Sequence, residues 1–255
     1  MRFVRSILPV AVGVLACIPA VSRADAANAA IHPFRPTSST QLLMVNASRM
    51  STSTATLTAY QWDGTKWSQA FAPMDASLGA NGLTDNPSES DYFTPTGQYD
   101  ITTVFGSEPD PGTLFPYRRT TSNDHWVDDP TSAVYNTWQT GPANGRWNSA
   151  ETLSSYHLAA AFDFNQQPVV PGGDSAIFLH SGTSATLGCV TLNSPNLQTI
   201  LTWIDPAAKP QIIIGVNLAL PKHLEPTPAP VPWAELTHGQ QRQANPFRQS
   251  AIRLT

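Results

Sequence analysis

The sequence is poor in thiols and in charged side chains. Its 255 residues include two cysteines, Cys17 and Cys189, and 13% charged residues, with 14 basic and 18 acidic side chains. So few cysteines exclude a disulfide-dense scaffold. A net charge of −4 without a basic stripe argues against nucleic-acid binding. The sequence also lacks a glycine-rich phosphate loop and a His/Cys cluster with zinc spacing, so we expect neither a cofactor nor a metal.

No apolar run reaches the roughly 20 residues that a membrane-spanning helix needs, but a shorter run lies near the start of the chain. Residues 1–26 begin with two arginines, continue as an apolar stretch and end in a small-x-small site. This layout is typical of a secretory signal peptide. It predicts export to the periplasm, the cell wall or the exterior, with no transmembrane segment after cleavage. An alternative is a lipoprotein anchored through Cys17, because residues 14–17 form a weak lipobox.

Loss of the signal peptide leaves Cys189 as a single thiol in an oxidising compartment, where an idle free thiol is a liability. His180 ends an apolar run a short loop earlier. An imidazole at hydrogen-bonding distance can take the thiol proton and leave a nucleophilic thiolate. Gly188 lets the backbone approach a substrate closely. The alternative is structural, with Cys189 as a small core residue and His180 as an ordinary histidine at a strand end.

The composition predicts short strands joined by turns, because Ser, Thr, Asn, Gly and Pro are abundant and helical periodicity is rare. We expect one domain over residues 41–220. The clearest helix is 193–205, with Ser194 as its N-cap, and residues 149–156 are expected to form a shorter one. Long loops are expected at 72–98 and 107–145. Strands are predicted at 41–48, in a hairpin over 53–71, and at 99–106, 157–165, 175–182 and 211–218.

Two segments flank the predicted domain. Residues 27–40 are small and polar and contain two prolines, which indicates a linker. Residues 221–255 are rich in proline and polar side chains, which predicts an extended or disordered tail.

Several motifs together resemble one family, the L,D-transpeptidases of bacterial cell walls, which have a YkuD-type catalytic domain. The central pair is SAIFLH followed by LGCVTL, around His180 and Cys189. Four further stretches match in the same order along the chain: DASLGANGL, TPTGQYDITTVFG, WVDDPTSAVYN and TWIDP. The resemblance extends from about Gln41 to Leu218.

The resemblance implies a β-rich sandwich or barrel-like domain, with one or two short helices and long loops. It also implies a reaction on peptidoglycan stem peptides, which are the expected partners. Cys189 would attack the bond after an L-centre, His180 would act as the base, and Gly188 would lie at the oxyanion site. The carbonyl of Ser181 or Gly182 would orient the imidazole. The acyl-thioester would then pass to an amine, which cross-links two stems.

The sequence departs from many family members around the cysteine. Thr186, Leu187 and Thr191 occupy places where those members have a second histidine and a substrate-anchoring arginine or asparagine. This departure leaves two alternatives open. In the first, water resolves the thioester, which makes the protein an L,D-carboxypeptidase or another hydrolase. In the second, the domain binds the wall without catalysis.

A second group of polar and aromatic residues follows from the WVDDPTSAVYN stretch. These side chains either line the cleft and bind amino or amide groups of the stem, or brace a long irregular segment. The members of this group are Trp126, Asp128, Asp129, Tyr135 and Asn136.

Overall fold

The chain folds mainly as β-structure. The computed structural model describes residue 35 and residues 37–224, so the predicted signal peptide, Cys17 and residues 225–255 of the predicted tail lie outside the described residues. Within that range there are fifteen strands, one α-helix and two single-turn 3₁₀ helices. The strands are β1 (Gln41–Ala47), β2 (Thr54–Trp62), β3 (Trp67–Gln69), β4 (Met74–Ser77), β5 (Gly82–Thr84), β6 (Phe93–Pro95), β7 (Gly97–Gly106), β8 (Tyr117–Arg119), β9 (Asp124–Trp126), β10 (Trp138–Thr140), β11 (Glu151–Thr152), β12 (Ala159–Phe162), β13 (Phe178–Ser181), β14 (Val190–Leu192) and β15 (Gln211–Val216).

The main sheet has ten strands and closes on itself. Its order is β1-β15-β7-β12-β13-β14-β4-β2-β3, with β8 paired to β7, and β1 also pairs with β2. The pairing of β1 with β2 closes the strand order into a ring, so the eight strands from β1 to β2 in this order form a barrel. Two small sheets, β10-β9-β11 and β5-β6, lie outside it. The predicted mainly β fold is therefore confirmed, in its barrel form.

The barrel core and the helix pack together. Helix α1 (Ser194–Trp203) buries Leu197, Ile200 and Leu201, and Ile204 follows at its end. These four residues recur at helical spacing, so they form one apolar face. They join a buried cluster that includes Leu179 of β13 and Val190 of β14, next to the candidate catalytic residues.

A second buried cluster covers the opposite face of the same strands. Side chains alternate between the two faces of a strand. Leu179 therefore faces the barrel core, whereas Phe178 and Ala161 face outward. Trp126 and Leu153, from the long segment after β8, pack on this outer face together with Cys189. The irregular segment is thus a second layer of structure that covers the strands carrying the candidate nucleophile.

Four local predictions are wrong. Residues 107–145, which were expected to form a long loop, contain β8, β9 and β10, because β8 pairs with β7 and β9 pairs with β10. Residues 72–98 contain β4, β5 and β6, and β4 forms because β2 and β14 pair with it on either side. Residues 149–156 form β11 and a 3₁₀ turn (Leu153–Ser155) in place of a helix, because Glu151 and Thr152 pair with β9. The α1 N-cap is Asn193, whose side chain accepts from the Asn196 N–H at 2.9 Å.

The ends of the described range pack against each other. Thr37 bridges to His223, and the Thr37 N–H donates to the Lys222 carbonyl at 3.0 Å. The His223 ring stacks on Trp62 at a centroid distance of 4.2 Å and meets Trp67 edge-on at 5.7 Å. The last residues of the predicted linker and the first of the predicted tail therefore form part of the packed structure. Whether the other residues form a linker and a tail stays a prediction.

We expect Gln41→Leu to destabilise the fold. Gln41 is 5% exposed; its Nε2 donates to the Trp203 carbonyl at 3.0 Å, and its Oε1 accepts from the Asp205 N–H at 2.7 Å. Leucine fills the space but leaves both backbone groups unpaired, at a cost of roughly 2–4 kcal/mol. Urea unfolding measures the change. Gln198→Leu, on the exposed face of α1, is the control and should alter stability by less than about 0.5 kcal/mol. Equal effects of the two changes would contradict the prediction.

Candidate active site

Strand pairing brings His180 and Cys189 to the same face of the sheet. Strands β13 and β14 run parallel, with Leu179 opposite Val190 and His180 opposite Thr191. Cys189 immediately precedes β14 and so lies beside Phe178, two residues before His180. Because side chains alternate along a strand, Phe178, His180, Cys189 and Thr191 all point away from the barrel core. Both His180 and Cys189 line one cavity of about 500 Å³.

The imidazole of His180 has a defined orientation. Its Nδ1 lies 3.0 Å from the Ser181 carbonyl oxygen, so Nδ1 carries the proton and Nε2 keeps a free lone pair. The ring packs edge-on against Tyr156 at a centroid distance of 5.0 Å. Burial lowers the pKa of His180, and the bond to Ser181 opposes that shift. The ring is therefore neutral at pH 7 and able to accept a proton at Nε2.

Cys189 is 8% exposed, and backbone groups hold its thiol. Sγ accepts from the Phe178 N–H at 3.3 Å and donates to the Ala176 carbonyl at 3.4 Å. Ala176 has a φ of 54°, a left-handed conformation that few residues with a Cβ adopt. In the described part of the chain, no hydrogen bond joins the Cys189 sulfur to the His180 ring. The thiol therefore has to turn from Ala176 toward the imidazole before its proton can move.

Burial is the main cause that raises the pKa of the Cys189 thiol. The negative charge of Glu151 is next, and Asp174 adds to it. Hydrogen bonds from the Phe178 N–H and the Tyr156 side chain act in the opposite direction but do not offset the shift. The free protein therefore holds a neutral thiol at pH 7.

Tyr156 and Glu151 flank the sulfur and were not identified from the sequence. The Tyr156 hydroxyl donates to the Glu151 carboxylate. Burial raises the pKa of Tyr156, and the charges of Cys189 and Glu151 raise it further, so the phenol stays protonated. Burial also raises the pKa of Glu151. The only sequence signal was a predicted helix over 149–156, which placed neither side chain in the site.

The loop between the two candidate residues is attached to its surroundings. Thr186 donates its hydroxyl to the Cys189 carbonyl at 2.7 Å and accepts from the Gly188 N–H at 3.1 Å. Its own backbone exchanges hydrogen bonds with Leu78 and Ala80 at 2.9 Å. Gly188 has a φ of 155°, and a Cβ there would lie 2.7 Å from Ile177, so only glycine fits. Gly188 was expected to lie at the oxyanion site. Its N–H already donates a hydrogen bond to the Thr186 hydroxyl.

The two predicted site residues that follow His180 have different roles. Ser181 supplies the carbonyl that orients the ring. Gly182 lines the cavity, and its N–H donates to the Leu192 carbonyl at 2.8 Å, which continues the strand pairing. Of the two carbonyls that were expected to orient the imidazole, the structure uses that of Ser181.

The second predicted group lies mostly behind the cavity, and only Asp128 lines it. Asp129 accepts from Thr131 and from the Asn148 N–H, and these bonds lower its pKa to about 2. The Tyr135 hydroxyl donates to Glu89. Contact of Trp126, Asp129, Tyr135 and Asn136 with substrate stays a prediction.

Asn136 links this second group to the sulfur. Its Oδ1 accepts from Trp126 Nε1 at 2.7 Å and from the Ala176 N–H at 3.3 Å. Ala176 in turn accepts from the Cys189 thiol, and Trp126 packs edge-on against Phe178 at 5.1 Å. Asn136 and Trp126 therefore position the backbone that holds Sγ.

The cavity wall is acidic. Four carboxylates line it, and no lysine or arginine is among the described residues that do so. In the range that the structure describes, no three His, Cys, Asp or Glu side chains converge as metal ligands. That range also contains no helix long and apolar enough to cross a membrane. The four carboxylates belong to Glu89, Asp128, Glu151 and Asp174.

We expect Glu151→Gln to make Cys189 more reactive. The change removes the negative charge that has the largest effect on the thiol and keeps an acceptor for the Tyr156 hydroxyl, so the pKa of the thiol falls toward its usual value. Alkylation by iodoacetamide at pH 8 should accelerate by roughly threefold to tenfold, which corresponds to a pKa decrease of up to about one unit. Peptide mapping of Cys189 over time measures the rate. Glu108→Gln, on an exposed side chain outside the cavity, is the control. An unchanged or slower rate in Glu151→Gln would contradict the assigned role of that charge.

Comparison with known proteins agrees with the motifs. The family model of the YkuD L,D-transpeptidase catalytic domain matches residues 41–214. Among solved structures, the chain is similar to the helical cell shape determining protein Pgp2 from Campylobacter jejuni, with 15% identity over 73% of this chain and 51% of that one and a TM-score of 0.40. It is also similar to Bd1075 from Bdellovibrio bacteriovorus, with 15% identity, coverages of 69% and 48% and a TM-score of 0.37.

The chain spans about half the length of these two structures. No curated protein sequence matches it. The matched domain model covers more than half of the chain, from β1 into β15, and includes both His180 and Cys189. The chain therefore belongs to the L,D-transpeptidase family with a YkuD catalytic domain.

Proposed function

We propose that this protein is an exported cysteine transpeptidase that acts on stem peptides of peptidoglycan. It cleaves the bond after an L-centre, holds the acyl group as a thioester on Cys189 and transfers it to an amine of a second stem. Membership of the family supports the substrate class. Export to the periplasm, cell wall or exterior rests on the signal-peptide pattern of residues 1–26.

The observation that carries the proposal is the shared cavity of His180 and Cys189. The imidazole is fixed by Ser181 so that its free nitrogen is available to a donor, and the sulfur lies on the same face of adjacent strands. A nucleophile beside an oriented base is the arrangement that covalent acyl transfer requires. Tyr92 and Leu187 are exposed on the wall of this cavity and offer apolar surface to a peptide.

Acylation begins with the movement of one proton. When the thiol turns from Ala176 to His180, Nε2 takes its proton and the thiolate attacks the carbonyl carbon of the scissile bond. The negative charge passes to the carbonyl oxygen. As the tetrahedral intermediate collapses, the C–N bond breaks and the leaving amine takes the proton from His180. As the thiolate forms, the Tyr156 hydroxyl, which donates to Glu151 in the free protein, turns its one proton to the sulfur and stabilises the negative charge.

Deacylation uses the same groups in reverse. A neutral amine attacks the thioester carbon and gives its proton to His180. The C–S bond breaks, sulfur leaves as the thiolate, and His180 returns the proton to it. Water in place of the amine yields a free carboxylate, which is the L,D-carboxypeptidase alternative. The products distinguish these two outcomes, because the catalytic residues are the same.

One observation favours a second candidate, a wall-binding module without catalysis. The thiol is almost completely buried, is bonded to backbone groups and has a raised pKa. A cysteine in such surroundings is also typical of a small core residue. In that case Cys189→Ala binds sacculi as well as the unaltered protein does, and neither protein forms a product.

We expect a carbapenem to acylate the unaltered protein and to leave Cys189→Ser unmodified. The β-lactam ring opens when the thiolate attacks its carbonyl, so intact-mass analysis should show one added carbapenem mass. The hydroxyl of serine is a much weaker nucleophile beside a neutral imidazole. A matching circular dichroism spectrum verifies that Cys189→Ser is folded. An unmodified wild-type protein, or a labelled serine variant, would contradict the assignment of Cys189.

We expect a defined tetrapeptide stem, incubated with the protein, to yield cross-linked dimer together with free D-alanine. Mass spectrometry of the products measures the outcome, and His180→Gln should lower the rate by about 100-fold or more because the proton acceptor is lost. Tripeptide without dimer identifies a hydrolase instead. Absence of both products, with sacculus binding retained, identifies the non-catalytic module.

A further inference from the structure

We propose that the acidic wall of the cavity is a subsite for a primary ammonium group of the stem peptide, with Asp174 as its main acceptor. The inference rests on the proposed function and deepens it, since it names the feature by which the site recognises its peptide. The subsite takes an alkylammonium and rejects the same peptide once that amine is acylated.

The first observation is the density of negative charge that no basic side chain balances. Glu89, Asp128, Glu151 and Asp174 line one cavity, and they are close enough to affect one another. Burial raises the pKa of Glu151, and the charges of Asp128 and Glu89 raise it further. Burial, Glu89, Asp91 and Glu151 together raise the pKa of Asp174 to about 7. Among the described residues that line this cavity, only His180 has a titratable nitrogen, and its pKa is lowered.

The second observation is that three residues of the cavity wall, Asp128, Asp174 and Thr191, each have a buried polar side-chain atom without a hydrogen-bond partner. Asp174 is 6% exposed; its Oδ1 accepts from the Ser175 N–H, whereas its Oδ2 has no hydrogen-bond partner. Thr191 is 2% exposed, and its hydroxyl, the only polar atom of the side chain, also lacks a partner. Both residues line the cavity. Buried polar groups are almost always satisfied in native proteins, so these atoms indicate a ligand.

The unpartnered oxygens of Asp174 and Thr191 indicate the chemistry of the ligand. A carboxylate is an acceptor and pairs best with a positively charged donor. No three acidic side chains in the described part of the chain converge on a point that suits a metal ion, which favours an organic cation. An alkylammonium supplies three donors on a flexible stem and can reach one oxygen at a time. Its charge also offsets the repulsion among the four carboxylates.

Stem peptides present such an amine in two places. In the donor it is the side-chain amine of a diamino acid or lysine at the third position, beside the scissile bond. In the acceptor it is the amine that attacks the thioester. The two sources share one chemistry, and binding experiments with separate donor and acceptor peptides distinguish them.

Asp174→Asn tests the proposal without disturbing the fold. Asparagine keeps the oxygen that accepts from Ser175, and it tolerates the φ of 68° at this position as well as aspartate does. The variant thus removes one negative charge and little else. Asp110→Asn is the matched control, because Asp110 also accepts backbone hydrogen bonds but lies on an exposed loop outside the cavity.

The measurement is calorimetric titration in a Cys189→Ser background, which prevents turnover. A synthetic tetrapeptide with lysine at the third position is compared with its Nε-acetyl form, and a tripeptide pair serves as the acceptor arm. At pH 8 the Asp174 carboxyl is ionised and the lysine amine is still protonated. We expect acetylation to weaken binding by about tenfold in at least one arm. The ratio of the dissociation constants of the acetylated and free-amine peptides should fall to about one in Asp174→Asn. It should stay unchanged in Asp110→Asn.

Three results would overturn the inference: equal affinity for the free and acetylated peptides, discrimination that persists in Asp174→Asn, and no binding of the free-amine peptides. The first two leave the proposed function intact if a carbapenem still labels Cys189. Conversely, discrimination by Asp174 in a protein that no carbapenem labels supports the subsite and rejects the catalytic assignment.

Discussion

The parallel pairing of β13 with β14 is the constraint on which the site depends. Its register sets Phe178, His180 and Thr191 on one face, and Cys189 joins them at the start of β14. A shift of one residue would turn the base or the sulfur into the barrel core. Helix α1 and the inner cluster fix this register from one side, and Trp126 with Phe105 fixes it from the other.

The burial and the negative charges of the cavity disfavour ionisation of the Cys189 thiol. Burial and the neighbouring carboxylates favour the neutral thiol, and the same burial favours a neutral imidazole. Charge separation between the two groups is therefore costly in the empty site. The positively charged substrate that we propose would lower that cost by compensating Glu151 and Asp174. Under the proposed function and export, the reactivity of this cysteine would then depend on substrate binding, which would protect the thiol in an oxidising compartment.

The sequence pointed to the two candidate catalytic residues but not to their surroundings. Cys189 and His180 were identifiable because thiols are rare here and because both lie in motifs beside apolar runs. Glu151, Tyr156 and Asp174 were missed because they occur in irregular segments, where an acidic side chain looks like ordinary surface. They reach the cavity through pairings such as Glu151 with Trp126, which join positions far apart in sequence. Strands β4 to β6 and β8 to β11 were missed because their pairing partners lie elsewhere in the sequence.

The attachment of Thr186 to Leu78 and Ala80 fixes one part of the cavity wall. The turn that carries the sulfur is tied to the β4–β5 connection before any peptide arrives, so its conformational entropy is lost during folding and not at binding. Such a preorganised wall does not act as a closing lid. Under the proposed function, this fixed part of the cavity wall would discriminate between ligands by its shape and charge.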